Sequence, residues 1–177
     1  VASEDAPPGK GTTMSELRGA LLPAADGTTV RFERRYGTSP EDLWSAVTEP
    51  GRLARWLGPV YGDLREGGRY ELRMGEDVAG AAENATGRIR ECVPPQRLVI
   101  EWEFPGESTT LVEAVIRPDG DGAVLVLEHH RLEESNARSY GAGWHASLGQ
   151  LADHVSGDPV RAWAELYRVA LPLYVTD

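Results

Sequence analysis

The amino-acid sequence predicts an α+β fold in which one long helix lies across a curved antiparallel β-sheet, and three observations predict it. The stretch Tyr140 to Val155 spaces Tyr140, Trp144, Leu148, Leu151 and Val155 in steps of four, four, three and four. That spacing puts five large apolar side chains on one face of a single helix, and Gly157 follows as a left-handed stop. From Tyr61 to His130 short runs of alternating apolar and polar residues are separated by Gly- and Pro-containing turns, the texture of a β-meander. Ahead of that meander, Ser39-Pro40-Glu41-Asp42 reads as a helix start. Ser39 caps, Pro40 fits the first turn, and the two carboxylates favour the positive end of the helix dipole.

The chain of 177 residues suits one domain, and its 41% apolar share is enough for a core. A formal net charge of −10 argues against non-specific binding to nucleic acid or to an anionic membrane, since both need a basic surface. The single Cys92 excludes an intramolecular disulfide and fits a reducing, cytoplasmic setting. No apolar run approaches the roughly 20 residues of a membrane span, so membrane insertion is not expected. The opening VASEDAPPGKGTT has neither the basic head nor the apolar run of a signal peptide. It reads as a flexible tail or a non-native remnant, with Met14 a candidate natural start. The chain divides into a tail and lead-in segment over 1–27, a sheet-and-helix domain over 28–157, and an amphipathic C-terminal helix over 158–177.

Each element has its own signal. Ser15 to Gly27 is short and mixed, and Leu17, Leu21 and Leu22 fit either a helical turn or an edge segment. Thr28 to Tyr36 alternates, with Val30, Phe32 and Tyr36 on one side and Arg31, Glu33 and Arg35 on the other, as in a half-buried strand. Arg34 shares the side of Phe32, where a charge sits at the sheet end, pairs with a carboxylate, or reaches into a cavity. After the Ser39 start, Leu43, Trp44 and Val47 give a short helix its buried face. Thr48 to Pro50 interrupts, and Arg52 to Leu57 forms a second short helix ended by Gly58-Pro59. The turn Glu66-Gly67-Gly68 precedes a strand on which Tyr70, Leu72 and Met74 share a face, and the small, polar stretch Gly75 to Asn84 is a loop. Thr86 to Val93 alternates weakly until Pro94-Pro95 stops it. Leu98 to Phe104 alternates cleanly, with Leu98, Ile100, Trp102 and Phe104 opposed to Val99, Glu101 and Glu103. Thr109 to Arg117, the turn Pro118 to Gly122, and Ala123 to His130 complete the sheet. Beyond Gly157, Val160, Trp163, Leu166, Tyr167, Ala170, Leu171 and Tyr174 recur at helical spacing, with Pro159 in the first turn. That helix packs on its own domain or forms a homodimer contact.

Chemistry is less legible. His129 and His130 are strand neighbours pointing to opposite faces, His145 and His154 are offset around the helix, and Gly58, Gly67 and Gly68 form no phosphate-binding pattern. Neither a metal nor a cofactor is expected, and nothing marks Cys92 as a nucleophile. Glu101, Glu103, Glu113 and Glu128 read as the solvated face of the sheet. Phe32, Trp56, Tyr70, Trp102 and Trp144 come from separate elements that converge under the long helix. They are either ordinary core or the walls of an apolar cavity that a few polar groups orient. Gly141, Gly143 and Gly149 inside the helix signal either close packing on the sheet or room for a ligand beneath it.

Four stretches, in order, resemble the START-like (SRPBCC) superfamily, to which the birch-pollen allergens also belong. These are TSPEDLWSAVTEPGRLARWLGP, REGGRYELRM, GRIRECVPPQRLVIEWEF and GWHASLGQLADHVSG, which together span roughly Val30 to Gly157. The last resembles in particular bacterial members described as activator of heat-shock-protein-90 ATPase homologue-like. The resemblance implies a helix-grip fold, with two short helices after the first strand and a sheet of about six or seven strands gripping the helix, often around a hydrophobic cavity. With the alternation and the helical stripe, it makes Phe32, Trp56, Tyr70, Leu72, Trp102, Trp144 and Leu148 the expected ligand-binding walls. Arg34, Glu113 and His129 are the candidate polar groups of that cavity. The superfamily includes lipid and hormone binders, polyketide cyclases and aromatases, and chaperone-activating domains. The first expectation is a non-enzymatic domain that shelters a small apolar or aromatic molecule. The alternatives are a cyclase- or aromatase-like enzyme acting on a polyketide-type substrate, and a chaperone-type interaction module.

Overall fold

The computed structural model describes residues 17–175, so the tail expected over 1–13 and the candidate start Met14 lie outside the described residues. The strands are β1 (Ala20–Ala24), β2 (Gly27–Tyr36), β3 (Val60–Gly62), β4 (Arg69–Leu72), β5 (Ala85–Val93), β6 (Arg97–Trp102), β7 (Thr110–Asp119) and β8 (Gly122–Leu132). The helices are α1 (Pro40–Thr48) and α2 (Pro50–Trp56) after β2, then α3 (Glu134–Ser156), α4 (Trp163–Ala170) and α5 (Pro172–Val175) after β8. All the strands join one antiparallel sheet in the order β1-β2-β8-β7-β6-β5-β4-β3, with α3 across its inner face. This is the helix-grip architecture.

The two strands that alternation does not reveal lie at the sheet edges. β1 carries Pro23 and folds back on β2 through Ala25-Asp26, placing Leu21 opposite Val30, while β3 has only three residues. On β7, Thr110, Val112, Ala114 and Ile116 are buried on the inner face, which α1 covers, and Leu111, Glu113, Val115 and Arg117 face outward. The outer face carries ion pairs across the strands: Arg31–Glu128 at 3.0 Å, Arg97–Glu113 at 2.6 Å and Arg117–Glu33 at 2.7 Å. The strand glutamates therefore stand on the expected face, half-covered by arginine.

The helices start and stop where local chemistry dictates. Ser39 Oγ accepts the Asp42 N–H at 3.1 Å, and Pro40 and Pro50 occupy the first turns of α1 and α2. The Trp56 indole N–H donates to the Ala46 carbonyl at 2.9 Å and ties α2 to α1. α3 ends at Gly157, whose φ of 76° turns its N–H back to the Asp153 and His154 carbonyls.

Two features of the C-terminal region differ from the sequence reading. The helix begins at Trp163, not at Pro159. The Asp153 carboxylate takes the Arg161 backbone N–H at 3.0 Å and its guanidinium at 2.9 Å, and Gln150 donates to the Arg161 carbonyl at 2.8 Å. Both backbone groups of Arg161 are thereby withheld from a helical ladder. The glycines of α3 are also not turned to the sheet. A Cβ on Gly141 would lie 2.7 Å from the Tyr174 ring, one on Gly149 3.4 Å from Leu166, and one on Gly143 3.7 Å from Trp163. They form the bed on which α4 and α5 of the same chain lie.

Candidate functional site

A groove of about 670 Å³ opens between α3 and α4 on one side and α2, the loop after β4 and the β6–β7 turn on the other. Each wall follows from local structure. α2 ends in Trp56 and Leu57, and the chain then turns at Gly58, where a Cβ would meet the Arg73 carbonyl at 2.5 Å. β6 delivers Trp102 to the floor. α3 presents Tyr140, Gly143, Trp144 and Ser147 at steps of three, one and three, a single helical face. α4 adds Trp163 and Tyr167, one turn apart, their rings stacked at 4.6 Å.

A hydrogen-bonded chain fixes the floor. The Trp144 indole N–H donates to His129 Nδ1 at 3.0 Å. The proton of the neutral imidazole is therefore on Nε2, which donates to Thr110 Oγ1 at 2.7 Å. The Thr110 hydroxyl donates in turn to the Trp102 carbonyl at 3.3 Å. The Trp102 indole N–H donates to the Tyr140 hydroxyl oxygen at 3.1 Å, and Tyr140 donates to Glu107 at 2.6 Å. Burial pushes His129 down to about 3, so it is neutral near pH 7 and does not act as a base there. Burial, reinforced by the bond to Glu107, raises the Tyr140 hydroxyl above its ordinary value and keeps it protonated. The floor is uncharged, and charge stands at the rim in Arg55, Glu83 and Glu107. Arg73, also at the rim, is committed to Glu71 at 2.8 Å and Asp77 at 2.7 Å. Its indole and phenol faces present flat apolar surface, with the charged groups confined to the rim.

A second, smaller space of about 120 Å³ lies beyond the floor, among Leu53, Val60, Leu64, Leu72, Ile89, Leu98 and Ile100. Leu57, Trp102 and Trp144 border both spaces.

Of the residues expected to wall a cavity, Trp56, Trp102 and Trp144 line the groove, and Tyr70 and Leu72 line the smaller space. Phe32 and Leu148 line neither. Phe32 packs against the His145 ring at 6.2 Å, and the Leu148 carbonyl receives the Tyr36 hydroxyl at 3.4 Å, both in the half of the core nearer β2. None of the three polar candidates lines the groove. Arg34 donates to the Leu17 carbonyl at 2.6 Å and lies over Phe32, because it shares that strand face. Glu113 is on the outer face with Arg97, and His129 is sealed behind the indoles. Tyr140, Glu107, Trp163 and Tyr167 also line the groove, beyond the walls that the sequence points to. The signal for the last two is their spacing of four, which marks a shared helical face.

Cross-strand register also brings together metal-ligand types that linear spacing separates. Among the described residues, Glu113, Glu128 and His130 place ligand atoms within 4.8 Å of one another on the outer face. Their carboxylates are engaged by Arg97 and Arg31, and His130 Nδ1 lies 3.1 Å from Thr29 Oγ1.

Residues 37–156 match the profile of the family described as activator of Hsp90 ATPase homolog 1-like protein. An uncharacterized protein of Mycobacterium tuberculosis is 30% identical over 143 residues, which cover 73% of this chain and 91% of that protein. CalU16 from Micromonospora echinospora has a solved structure that matches with a TM-score of 0.73 at 32% identity, over 88% of this chain and 94% of that one. A solution structure from Bordetella parapertussis matches with a TM-score of 0.67 at 27% identity, over 94% of this chain and 95% of the other.

Proposed function

This chain belongs to the activator of Hsp90 ATPase homolog 1-like family, and from that premise and the groove we propose that it binds a small, flat, apolar or aromatic molecule. The observation that carries the reading is the composition of the groove. Seven of the chain's thirteen aromatic residues line it: Trp56, Trp102, Phe104, Tyr140, Trp144, Trp163 and Tyr167. Its volume of about 670 Å³ falls within the range of small-molecule sites. Trp163 remains 42% exposed, so these rings do not close into a solid core. The hydrogen bonds that hold Trp102, Trp144 and Tyr140 fix the walls before anything binds, which lowers the ordering cost of binding. The neutral His129 and protonated Tyr140 leave no ionised group on the floor to be desolvated.

The test is a titration with a neutral naphthalene-based fluorescent probe, followed by quenching of the tryptophans. Saturable one-to-one binding is expected. Trp163→Ala removes one face of the groove and is expected to weaken binding roughly three- to tenfold, the scale of one aromatic contact. Gly143→Leu crowds the groove against Trp163 and the α4 wall and is expected to block the probe, with a melt that stays cooperative. A folded protein that shows no saturable binding would remove the basis of this reading.

A further inference from the structure

We propose that the molecule taken by this groove has two parts: a flat aromatic head that lies in the groove and a short apolar tail of about four carbons that enters the space behind it. The proposal rests on the binding reading above. It starts from the partition between the two spaces, which consists of Leu57, Trp102 and Trp144. The two indoles are fixed, Trp102 by Tyr140 and Trp144 by His129. Leu57 has no such anchor. It is half-buried as the C-terminal cap of α2, its backbone N–H held by the Leu53 carbonyl at 2.8 Å, beside Gly58 at φ 152°. In the proposed complex this side chain turns aside and joins the two spaces.

The inner space suits an alkyl group. Apart from the bordering indoles its lining is mostly aliphatic, and its polar groups are accounted for. The Tyr70 hydroxyl donates to the Glu101 carbonyl at 2.6 Å and the Thr48 hydroxyl to the Trp44 carbonyl at 2.6 Å. Cys92 is the remaining polar group, and burial holds its thiol in the protonated form. An apolar void of about 150 Å³ admits benzene, so a space of about 120 Å³ has room for a chain of roughly four carbons. The division of chemistry follows from the walls: aromatic rings with a polar rim outside, aliphatic side chains without charge inside.

The experiment compares two probes, the neutral naphthalene compound and the same ring carrying an n-butyl chain. Each methylene buried in an apolar site is worth about fourfold in affinity, so the butyl probe is expected to bind wild-type protein at least tenfold more tightly. Leu64→Phe and Ile89→Phe fill the inner space from two sides without touching the groove. In each, the parent probe is expected to bind as in wild type while the butyl advantage falls to less than about threefold. Leu57→Ala opens the partition and is expected to keep or enlarge that advantage. Circular dichroism melts identify any variant that has lost its fold, and either filled variant suffices. If neither probe binds wild type, the binding reading itself fails. If the parent binds and the butyl chain adds nothing, or its advantage survives in a folded, filled variant, the two-part ligand is overturned and the binding reading stands.

Discussion

His129 shows how one side chain can fix a site without entering it. The residue is fully enclosed, takes the Trp144 N–H on one nitrogen and donates to Thr110 with the other, so its neutral form fits and its charged form does not. Burial lowers it from an ordinary 6.5 to about 3, and burial, assisted by Arg34, lowers His145 to about 4. The sign of the pH effect follows. Between these values and 6.5 the unfolded chain binds protons that the folded protein refuses. The stability from keeping both rings neutral is thus complete above about pH 6.5 and is lost as pH falls toward 4 and then 3. The carboxylates held low have unperturbed values of 3.8 for Asp42, Asp77 and Asp153 and 4.5 for Glu33 and Glu71, so their share is lost mainly at the acid end of that window and below it. We expect denaturant-derived stability to fall between pH 6.5 and 4.5 with a slope approaching about 1.4 kcal/mol per pH unit for each histidine. His154 is also held below 6.5 by partial burial and the nearby Arg52 and Arg55, so His129→Gln is expected to remove up to about 1.4 kcal/mol per pH unit of that slope, and a flat wild-type profile would contradict the burial of a neutral imidazole. The sequence points to both His129 and Trp144, but not to the bond between them. They sit on different elements, and only the approach of α3 to β8 makes them neighbours.

At the scale of elements, α3 is a middle layer. Its apolar stripe meets the sheet, as the spacing of Trp144, Leu148 and Leu151 predicts, and its glycine side receives α4 and α5. Periodicity finds the first surface because large side chains mark it. The second is marked by absent side chains, which fit a sheet, a ligand or a helix equally well in sequence. Two substitutions separate the roles of the glycines. Alanine in place of a mid-helix glycine gains about 1 kcal/mol of helix propensity. At Gly149 the new methyl meets the flexible end of Leu166 at 3.4 Å, so Gly149→Ala is expected to be neutral or to stabilise by up to about 1 kcal/mol. At Gly141 it meets the Tyr174 ring at 2.7 Å. That ring is 1% exposed, and its hydroxyl accepts the Gly19 N–H at 2.7 Å and donates to His145 Nδ1 at 3.0 Å, so it has no room to yield. Gly141→Ala is expected to destabilise by about 1–3 kcal/mol, and thermal melts of the two variants should rank in that order.

At the scale of the whole molecule, the groove is assembled from five separated stretches, near residues 54–59, 73–83, 102–107, 139–150 and 163–167. Alternation assigns a residue to a face of the sheet but not to a position across it. Phe32 and Trp102 both point inward, yet β8 and β7 stand between their strands, so only Trp102 reaches the groove. The fold was therefore more legible than the site: element type depends on local pattern, whereas the site depends on strand order and on where the last helices dock. That docking also links the C-terminal segment to ligand binding. α4 supplies the Trp163–Tyr167 wall, and the connector before it is pinned by the Asp153–Arg161 fork, which does not itself line the groove. Arg161→Ala leaves the Asp153 carboxylate, 9% exposed, without its cation and loosens the connector. The wall then has to be ordered when the ligand arrives, which consumes part of the binding energy. We expect Arg161→Ala to bind the naphthalene probe roughly three- to tenfold more weakly while the groove residues are unchanged. The reciprocal effect is also expected, since a ligand that binds the docked wall must stabilise it. Arg168 lies inside α4, and trypsin reaches it only when that helix opens. Saturating probe should slow cleavage at Arg168 by about the factor by which it favours the docked state, most visibly in Arg161→Ala. Cleavage at the same rate with and without bound probe would show that α4 is not a wall of the binding site.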